Sequence, residues 1–208
     1  MPFETWLAFT AAAAVLLVIP GPTILLVVSY ALGQGWRTAL PMAAGVALGD
    51  FTAMTLSLLG LGALLAASAT VFTILKWIGA AYLVWLGIKL WRAGGSLDVT
   101  PRTDATSSLK MLGHAWLVTA LNPKGLVFFV AFLPQFIDPK LAFLPQVSLC
   151  AATFLILAFA NVFAYALVAA RARRIIRNPR TIGLVNKTGG SLLIGAGIAT
   201  VALKAGQS

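Results

Sequence analysis

The chain has 208 residues, of which 60% are hydrophobic and only 10% are charged. Soluble domains carry about a quarter charged residues, so this composition excludes an ordinary soluble protein and indicates a polytopic membrane protein. The formal net charge of +10 does not indicate a nucleic-acid partner, because the basic residues lie mostly in short segments between apolar stretches. A spanning helix needs about 20 apolar residues, so the length accommodates six helices in a single transmembrane domain over residues 1–208.

The first apolar stretch, from about Trp6 to Ala31, contains a break. Pro20 and Pro22 cannot lie in a straight helix, because proline lacks an amide hydrogen and its ring clashes with the carbonyl four residues earlier. We expect Gly21 to be the N-cap of a second half-helix, with Pro22 as its first residue and Thr23 next. Freed backbone groups in lipid must face protein or a polar cavity, so the break predicts a binding site near the midplane. The alternative is a kink that serves packing alone.

The second span, from about Ala39 to Leu65, carries a carboxylate. Asp50 lies about eleven residues inside it, roughly 16 Å along the helix axis and so near mid-bilayer. An acid at that depth costs at least about 2.5–3.5 kcal/mol and usually marks an ion path or substrate site. The alternative is a structural ion pair. Gly45 and Gly49 form a Gly-x-x-x-Gly pair that lets another helix approach closely, within the chain or in a dimer.

The third span is predicted from about Val71 to Trp91 and contains Tyr82. The polar stretch from Arg92 to Lys110 follows it and is too short for a separate domain. We expect a flexible surface loop there, because it contains Gly94-Gly95, Pro101 and several Ser and Thr residues.

The fourth span, from about His114 to Phe136, has a second break. Asn122 is predicted to cap a half-helix through its side-chain oxygen, with Pro123 in the first helical position. Lys124 follows at once, although a cation at a helix N-terminus opposes the macrodipole. Its presence there predicts an anionic partner, either Asp50 or the carboxylate of a substrate.

A fifth span runs to about Ala170 with Asn161 inside it, and a short glycine-rich sixth span is predicted from Gly189 to Leu203. Tyr82 and Asn161 could supply hydrogen bonds to a substrate, or simply join helices. A basic cluster between the two last spans is expected to meet anionic lipid head groups. Most cations lie in loops one, three and five, so the positive-inside rule places these loops in the cytoplasm and both termini outside.

The two halves of the chain resemble each other. Pro22 aligns with Pro123, Asp50 falls within a residue of Asn161, and the segment 79–88 aligns with 189–198 without gaps. Three spans per half make the second half inverted relative to the first. The predicted fold is therefore an all-α integral membrane protein of six transmembrane helices, arranged as two inverted three-helix repeats with broken first and fourth helices. The repeats cover about 1–92 and 112–208, with a loop at 93–111.

These motifs carry a family resemblance. Pro20-Gly21-Pro22, Gly45-x-x-x-Gly49-Asp50, the Gly79-Ala80-Ala81-Tyr82-Leu83 segment and Asn122-Pro123-Lys124-Gly125 together resemble the LysE-type amino-acid exporter family, in particular its homoserine and threonine efflux branch. The resemblance covers nearly the whole chain. It implies an exporter in the bacterial cytoplasmic membrane, energised by the proton gradient and often associated with a homodimer. Thr23 stands where the family commonly has Asn, so the resemblance does not name the cargo.

The expected mechanism is alternating access around a site for a zwitterion. The substrate carboxylate is expected to meet the half-helix amides near Thr23 and Lys124. Its ammonium is expected to approach Asp50 and the carbonyls freed around Pro20 and Pro22. Protonation of Asp50 from the acidic outside would promote release, which assigns proton coupling to this residue.

The same sequence features also fit other functions. A passive facilitator or channel would use the same breaks as a constriction, and export of another metabolite or an inorganic ion also remains open. One His and one Cys form no metal or redox constellation, and neither a Cys pair nor a catalytic triad is present, so no cofactor and no enzyme activity are expected.

Overall fold

The computed structural model describes residues 1–67, 102 and 104–171, with only the backbone of 61–67, and isolated positions elsewhere (74, 77, 78, 81, 84, 85, 88, 92, 187, 188, 191 and 194). The predicted third and sixth spans, Tyr82 and most of the loop at 93–111 lie outside the described residues. The described chain forms six α-helices: α1 (Phe3–Val18), α2 (Pro22–Gln34), α3 (Ala39–Ala67), α4 (Ser108–Ala120), α5 (Pro123–Val127) and α6 (Phe143–Arg171). A π-helical turn (Phe128–Phe132) and a 3-10 turn (Leu133–Phe136) continue α5.

Both predicted breaks are present. Gly21 is the N-cap of α2 and Pro22 is its first residue, and α1 and α2 meet at an angle of 54°. At the second break the Asn122 side chain accepts a hydrogen bond from the backbone N–H of Lys124 (3.1 Å), and the two segments meet at 46°. Local proline and cap chemistry thus decides where each helix stops and restarts.

The described helices are long and apolar enough for a membrane protein. Two of them could each cross a membrane by length and composition, the segment Trp36–Gly60 and α6. Counting each bent pair as one broken span raises the number to four. These four correspond to the predicted first, second, fourth and fifth spans.

One predicted boundary was wrong. The fourth span was expected to begin near His114, but α4 already begins at Ser108. Ser107 is the reason, because its side-chain oxygen accepts a hydrogen bond from the backbone N–H of Lys110 (3.4 Å) and caps the helix. The predicted loop is accordingly shorter at its C-terminal end.

The segment before α4 is hydrogen-bonded to Gln34 at the end of α2. The Gln34 amide nitrogen donates hydrogen bonds to the carbonyls of Arg102 (3.3 Å) and Asp104 (2.8 Å). Its oxygen accepts one from the backbone N–H of Thr106 (3.2 Å). The first loop and the described residues just before α4 therefore lie side by side.

Two hydrophobic clusters hold the helices together. The first joins α2, α3, α4 and α6, and Val46 and Val162 belong to it. The second packs α1 against the π-helical turn and α6, with Leu16 and Phe154 among its members. Side chains of both clusters line one small polar cavity, which therefore lies where the two clusters meet.

The Gly45 and Gly49 pair serves a crossing within the chain, where α4 lies directly against α3. A Cβ atom at Gly49 would stand 2.6 Å from the Thr119 Cβ and 2.7 Å from the Trp116 carbonyl oxygen. A Cβ at Gly45 would stand 2.8 Å from the Ala115 Cβ. Such distances are too short for real atoms, so the two backbones approach as closely as they do only because both positions lack a side chain.

We therefore expect Gly49→Ala to separate α4 from α3 and to lower the thermal stability of the purified protein. Overpacking of a close contact typically costs about 1–3 kcal/mol. Gly113→Ala on α4 is the matched control, because a Cβ there would meet no described atom within 4 Å. Equal melting temperatures for the two variants would contradict the close crossing.

Candidate functional site

The cavity between the two clusters is lined by polar side chains, most of which are buried. Its volume is about 30 Å³, and it lies where the two helix breaks face α3 and α6. Within it, Asp50 is 6% exposed and Lys124 is 9% exposed. The polar side chains that line it are Thr23, Asp50, Thr119, Asn122, Lys124 and Asn161.

A short chain of hydrogen bonds joins the two breaks. The Asn122 Nδ2 donates to the Thr23 Oγ1 (3.0 Å), which lies 3.3 Å from the Thr119 Oγ1. The Oδ1 of the same Asn122 caps the start of α5, so this residue both begins a helix and contacts the opposite break. Thr119 was not predicted as a site residue. Its position three residues before Asn122 was the available signal, since residues at that spacing share one helix face.

The Lys124 ammonium lies at the C-terminal end of α1. Its Nζ donates to the carbonyl oxygens of Leu16 and Ile19, both at 2.9 Å. The last carbonyls of a helix have no partner within the helix and carry its partial negative charge. The predicted anionic partner of Lys124 is therefore a set of backbone dipoles instead of the Asp50 carboxylate.

Two further side chains complete the capping of α1. The Asn161 Nδ2 donates to the Leu17 carbonyl (3.0 Å), and the Tyr165 hydroxyl donates to the Val18 carbonyl (2.7 Å). With the two bonds from Lys124, every carbonyl from residue 16 to 19 accepts a hydrogen bond from a side chain. All the donors lie in the second half of the chain, so it supplies the polar partners that lipid cannot.

Asp50 differs from every other polar group of the cavity. Within the described residues its carboxylate accepts no hydrogen bond and forms no direct ion pair. The positive charge of Lys124 nevertheless attracts it across the cavity. A Cβ at Gly125 would lie 3.9 Å from its Oδ1, which places the carboxylate beside α5. A buried carboxylate normally binds a donor or a cation, so Asp50 is the group of this cavity left available for a ligand.

The predicted site residues lie at or beside this cavity, except for Tyr82, which is outside the described residues. The structure brings Thr23, Asp50, Asn122, Lys124 and Asn161 to one cavity. Pro20, Gly21, Pro22 and Pro123 shape the backbone breaks beside it, and a Cβ at Gly21 would lie 3.6 Å from the Lys124 Nζ. Tyr165 and Thr119 are contributions that the sequence did not predict.

The capping of α1 leads to a stability prediction. Tyr165→Phe removes the donor of the Val18 carbonyl and is expected to cost about 0.5–1.5 kcal/mol, the usual net contribution of one hydrogen bond, because this bond is not buried in the protein. Ser148→Ala on the same helix is the control, since no hydrogen bond of its hydroxyl is found among the described residues. Thermal unfolding in detergent compares the two, and a Tyr165→Phe melting temperature equal to that of the control would contradict this role.

Comparison with known proteins matches the sequence of this chain to one family. A family model of the LysE type translocators matches residues 14–203. The chain is 38% identical over 205 residues to an uncharacterised membrane protein of Vibrio cholerae, covering 99% of this chain and 100% of that one.

Some of the relatives have functional names. The chain is 35% identical over 202 residues to the homoserine/homoserine lactone efflux protein of Salmonella typhimurium, covering 96% of this chain and 98% of that one. It is 30% identical over 172 residues to the leucine efflux protein of Klebsiella pneumoniae, covering 77% and 81%. No solved structure matches the chain. The chain belongs to the family of LysE type translocators.

Proposed function

We propose that this protein is a secondary transporter that exports amino acids or related metabolites from the cytoplasm by proton antiport. The observation that carries the proposal is the polar cavity in which two broken helices meet beside Asp50, a buried carboxylate without a hydrogen-bond partner among the described residues. Discontinuous helices around a midplane cavity are a recurrent feature of secondary transporters. The named relatives, which are efflux proteins for homoserine, homoserine lactone and leucine, support the class of cargo.

The amine is the group that the cargo site must bind. Homoserine, its lactone and leucine all carry a primary amine, whereas the lactone has no free carboxylate. Asp50 and the C-terminal carbonyls of α1 offer negative charge and acceptors suited to an ammonium. A carboxylate, where the cargo has one, would meet the amide ends of α2 and α5 near Thr23 and Lys124.

The inverted-repeat arrangement is part of the proposal, and three observations support it. Both breaks bend by similar angles, 54° and 46°. Asp50 and Asn161, which fall within one residue of each other when the two halves are compared, line the same cavity. Each first half-helix is also bonded to the second span of the opposite half, through Trp6 Nε1 to Thr153 Oγ1 (3.0 Å) and Trp116 Nε1 to Thr52 Oγ1 (3.1 Å).

We place the protein in the bacterial inner membrane, with loops one, three and five in the cytoplasm and both termini outside. The contacts of Gln34 with the segment 102–106 support a common side for loops one and three. The N-terminal end of α1 lies near the fourth loop instead, where the rings of Phe9 and Phe136 are 5.5 Å apart. A homodimer belongs to the same proposal through the family resemblance.

Transport requires the cavity to change size. One water molecule needs about 10–15 Å³ of such space, so the present cavity has room for about two waters and not for an amino acid. We infer that the angles at the two breaks change when cargo enters. Proton coupling is assigned to Asp50, whose protonation at the outer face would promote release of the cargo ammonium.

The test is an efflux screen of single amino acids and analogues in cells that express the protein, followed by transport in proteoliposomes. A proton antiporter should concentrate its substrate against a gradient after a pH jump and should show counterflow. A passive channel can only equilibrate the substrate, so absence of uphill movement for every exported compound would replace antiport with facilitated diffusion.

A further inference from the structure

The Lys124 ammonium occupies a site that suits the ammonium of the cargo. It is held by two charge-assisted hydrogen bonds to Leu16 and Ile19, at the partially negative end of α1. A primary ammonium of a small molecule presents the same three donors as the end of a lysine side chain. The site therefore suits an alkylammonium group, and the Lys124 ammonium of the same chain occupies it.

A second position for this ammonium lies across the same cavity. Two of the three Lys124 donors are used on α1, which leaves one without a partner among the described residues. The Asp50 carboxylate also lines the cavity and accepts no hydrogen bond from the described chain. Lys124 has a long flexible side chain, so rotation of its outer bonds can carry the ammonium from the carbonyls toward the carboxylate.

We infer that Lys124 is a two-position switch: its ammonium fills the cargo-amine site in the empty transporter and moves to Asp50 when the cargo ammonium binds the Leu16 and Ile19 carbonyls. The inference rests on the proposed function and adds an internal competitor to it. Lys124 then selects for cargo that brings its own ammonium, since only such a group can replace the bonds that Lys124 gives up. It also keeps the carbonyls of α1 paired when no cargo is present.

The switch explains how protonation of Asp50 releases the cargo without a direct contact between Asp50 and the cargo. Protonated Asp50 cannot hold the Lys124 ammonium, so Lys124 returns to the α1 carbonyls and displaces the cargo. Among the described residues, the charged or titratable groups near Lys124 are Asp50 from α3 and the Tyr165 phenol from α6. The cavity residues from α1, α2 and α4 are neutral.

The test uses four probes that differ only in the amine and the carboxylate. L-homoserine and L-homoserine lactone carry the amine, whereas 4-hydroxybutyrate and γ-butyrolactone lack it. Binding to the purified protein is measured by ligand-induced change in melting temperature, in slightly acidic buffer in which the lactone is stable. We expect both amines to bind the wild-type protein and neither amine-free compound to do so.

Lys124→Met separates a competitor from an ordinary contact. Removal of the competitor should raise the affinity for both amines by about tenfold or more, because the binding-competent state becomes fully populated. Uphill export should nevertheless be lost. A Lys124 that merely contacts cargo would instead give weaker binding in the variant, and that result would overturn the switch.

Poor folding of Lys124→Met does not remove the test. The lactone should then raise the yield and melting temperature of the variant, because its ammonium fills the vacant site, whereas γ-butyrolactone should not. Absence of any such rescue overturns the inference, as does wild-type protein that binds 4-hydroxybutyrate as well as homoserine. Failure of the wild type to export any amine would instead refute the proposed function, so the two failures are distinguishable.

Discussion

Asp50→Asn is expected to reduce proton-driven uphill export to the level of empty liposomes, while the protein still inserts and folds. Asparagine has nearly the same shape, so the packing around this buried position, which is 6% exposed, should be preserved. It can neither gain nor lose a proton in the physiological range, and it cannot hold an ammonium by charge. The measurement is substrate accumulation after a pH jump in proteoliposomes, together with counterflow.

Asp104→Asn is the matched control for this substitution. Asp104 lies in the exposed segment before α4, and its loss should leave export unchanged. Proton-dependent accumulation by Asp50→Asn at the wild-type rate would remove Asp50 from the coupling mechanism. Counterflow that survives without uphill transport would locate the defect in coupling alone.

Lys124→Met is expected to be strongly destabilising. It leaves the carbonyls of Leu16 and Ile19 buried without donors and leaves Asp50 without a neighbouring cation. Each buried carbonyl that loses its donor costs about 1–3 kcal/mol. Thermal unfolding in detergent measures the loss, and Lys110→Met, which removes an exposed lysine at the start of α4, is the control.

The double variant Asp50→Leu, Lys124→Met separates stability from transport. It removes both charges, so part of the lost stability should return, because apolar replacements of buried charged pairs are often tolerated. The two carbonyls stay unpaired, so recovery should be incomplete. Export should remain absent. A double variant that exports at the wild-type rate would show that the two charges only support the structure.

The same lysine connects the two breaks energetically. Its backbone N–H is capped by Asn122 at the start of α5, while its side chain caps the end of α1. A change of angle at one break therefore disturbs hydrogen bonds at the other. Rigid-body rocking of the two halves would be coupled through this residue as well as through the hydrophobic clusters that join them.

The sequence by itself determined the breaks, their caps and the approximate limits of the four described spans. Proline, glycine and asparagine act on the backbone within a few residues, so Gly21-Pro22 and Asn122-Pro123 stop and restart helices wherever they occur. The sequence also placed Asp50 well inside an apolar stretch, whereas its burial depends on which face of α3 packs against α5.

Only the tertiary structure decided which groups meet. Lys124 was predicted to face an anion, yet its partners are backbone carbonyls 105 and 108 residues earlier in the chain. Tyr165 and Thr119 likewise became part of the break region through contacts with Val18 and Thr23. Every residue has a carbonyl, so no sequence pattern marks the few that a broken helix leaves free for a distant side chain. That pairing depends on how the helices cross, which is set by packing over the whole fold.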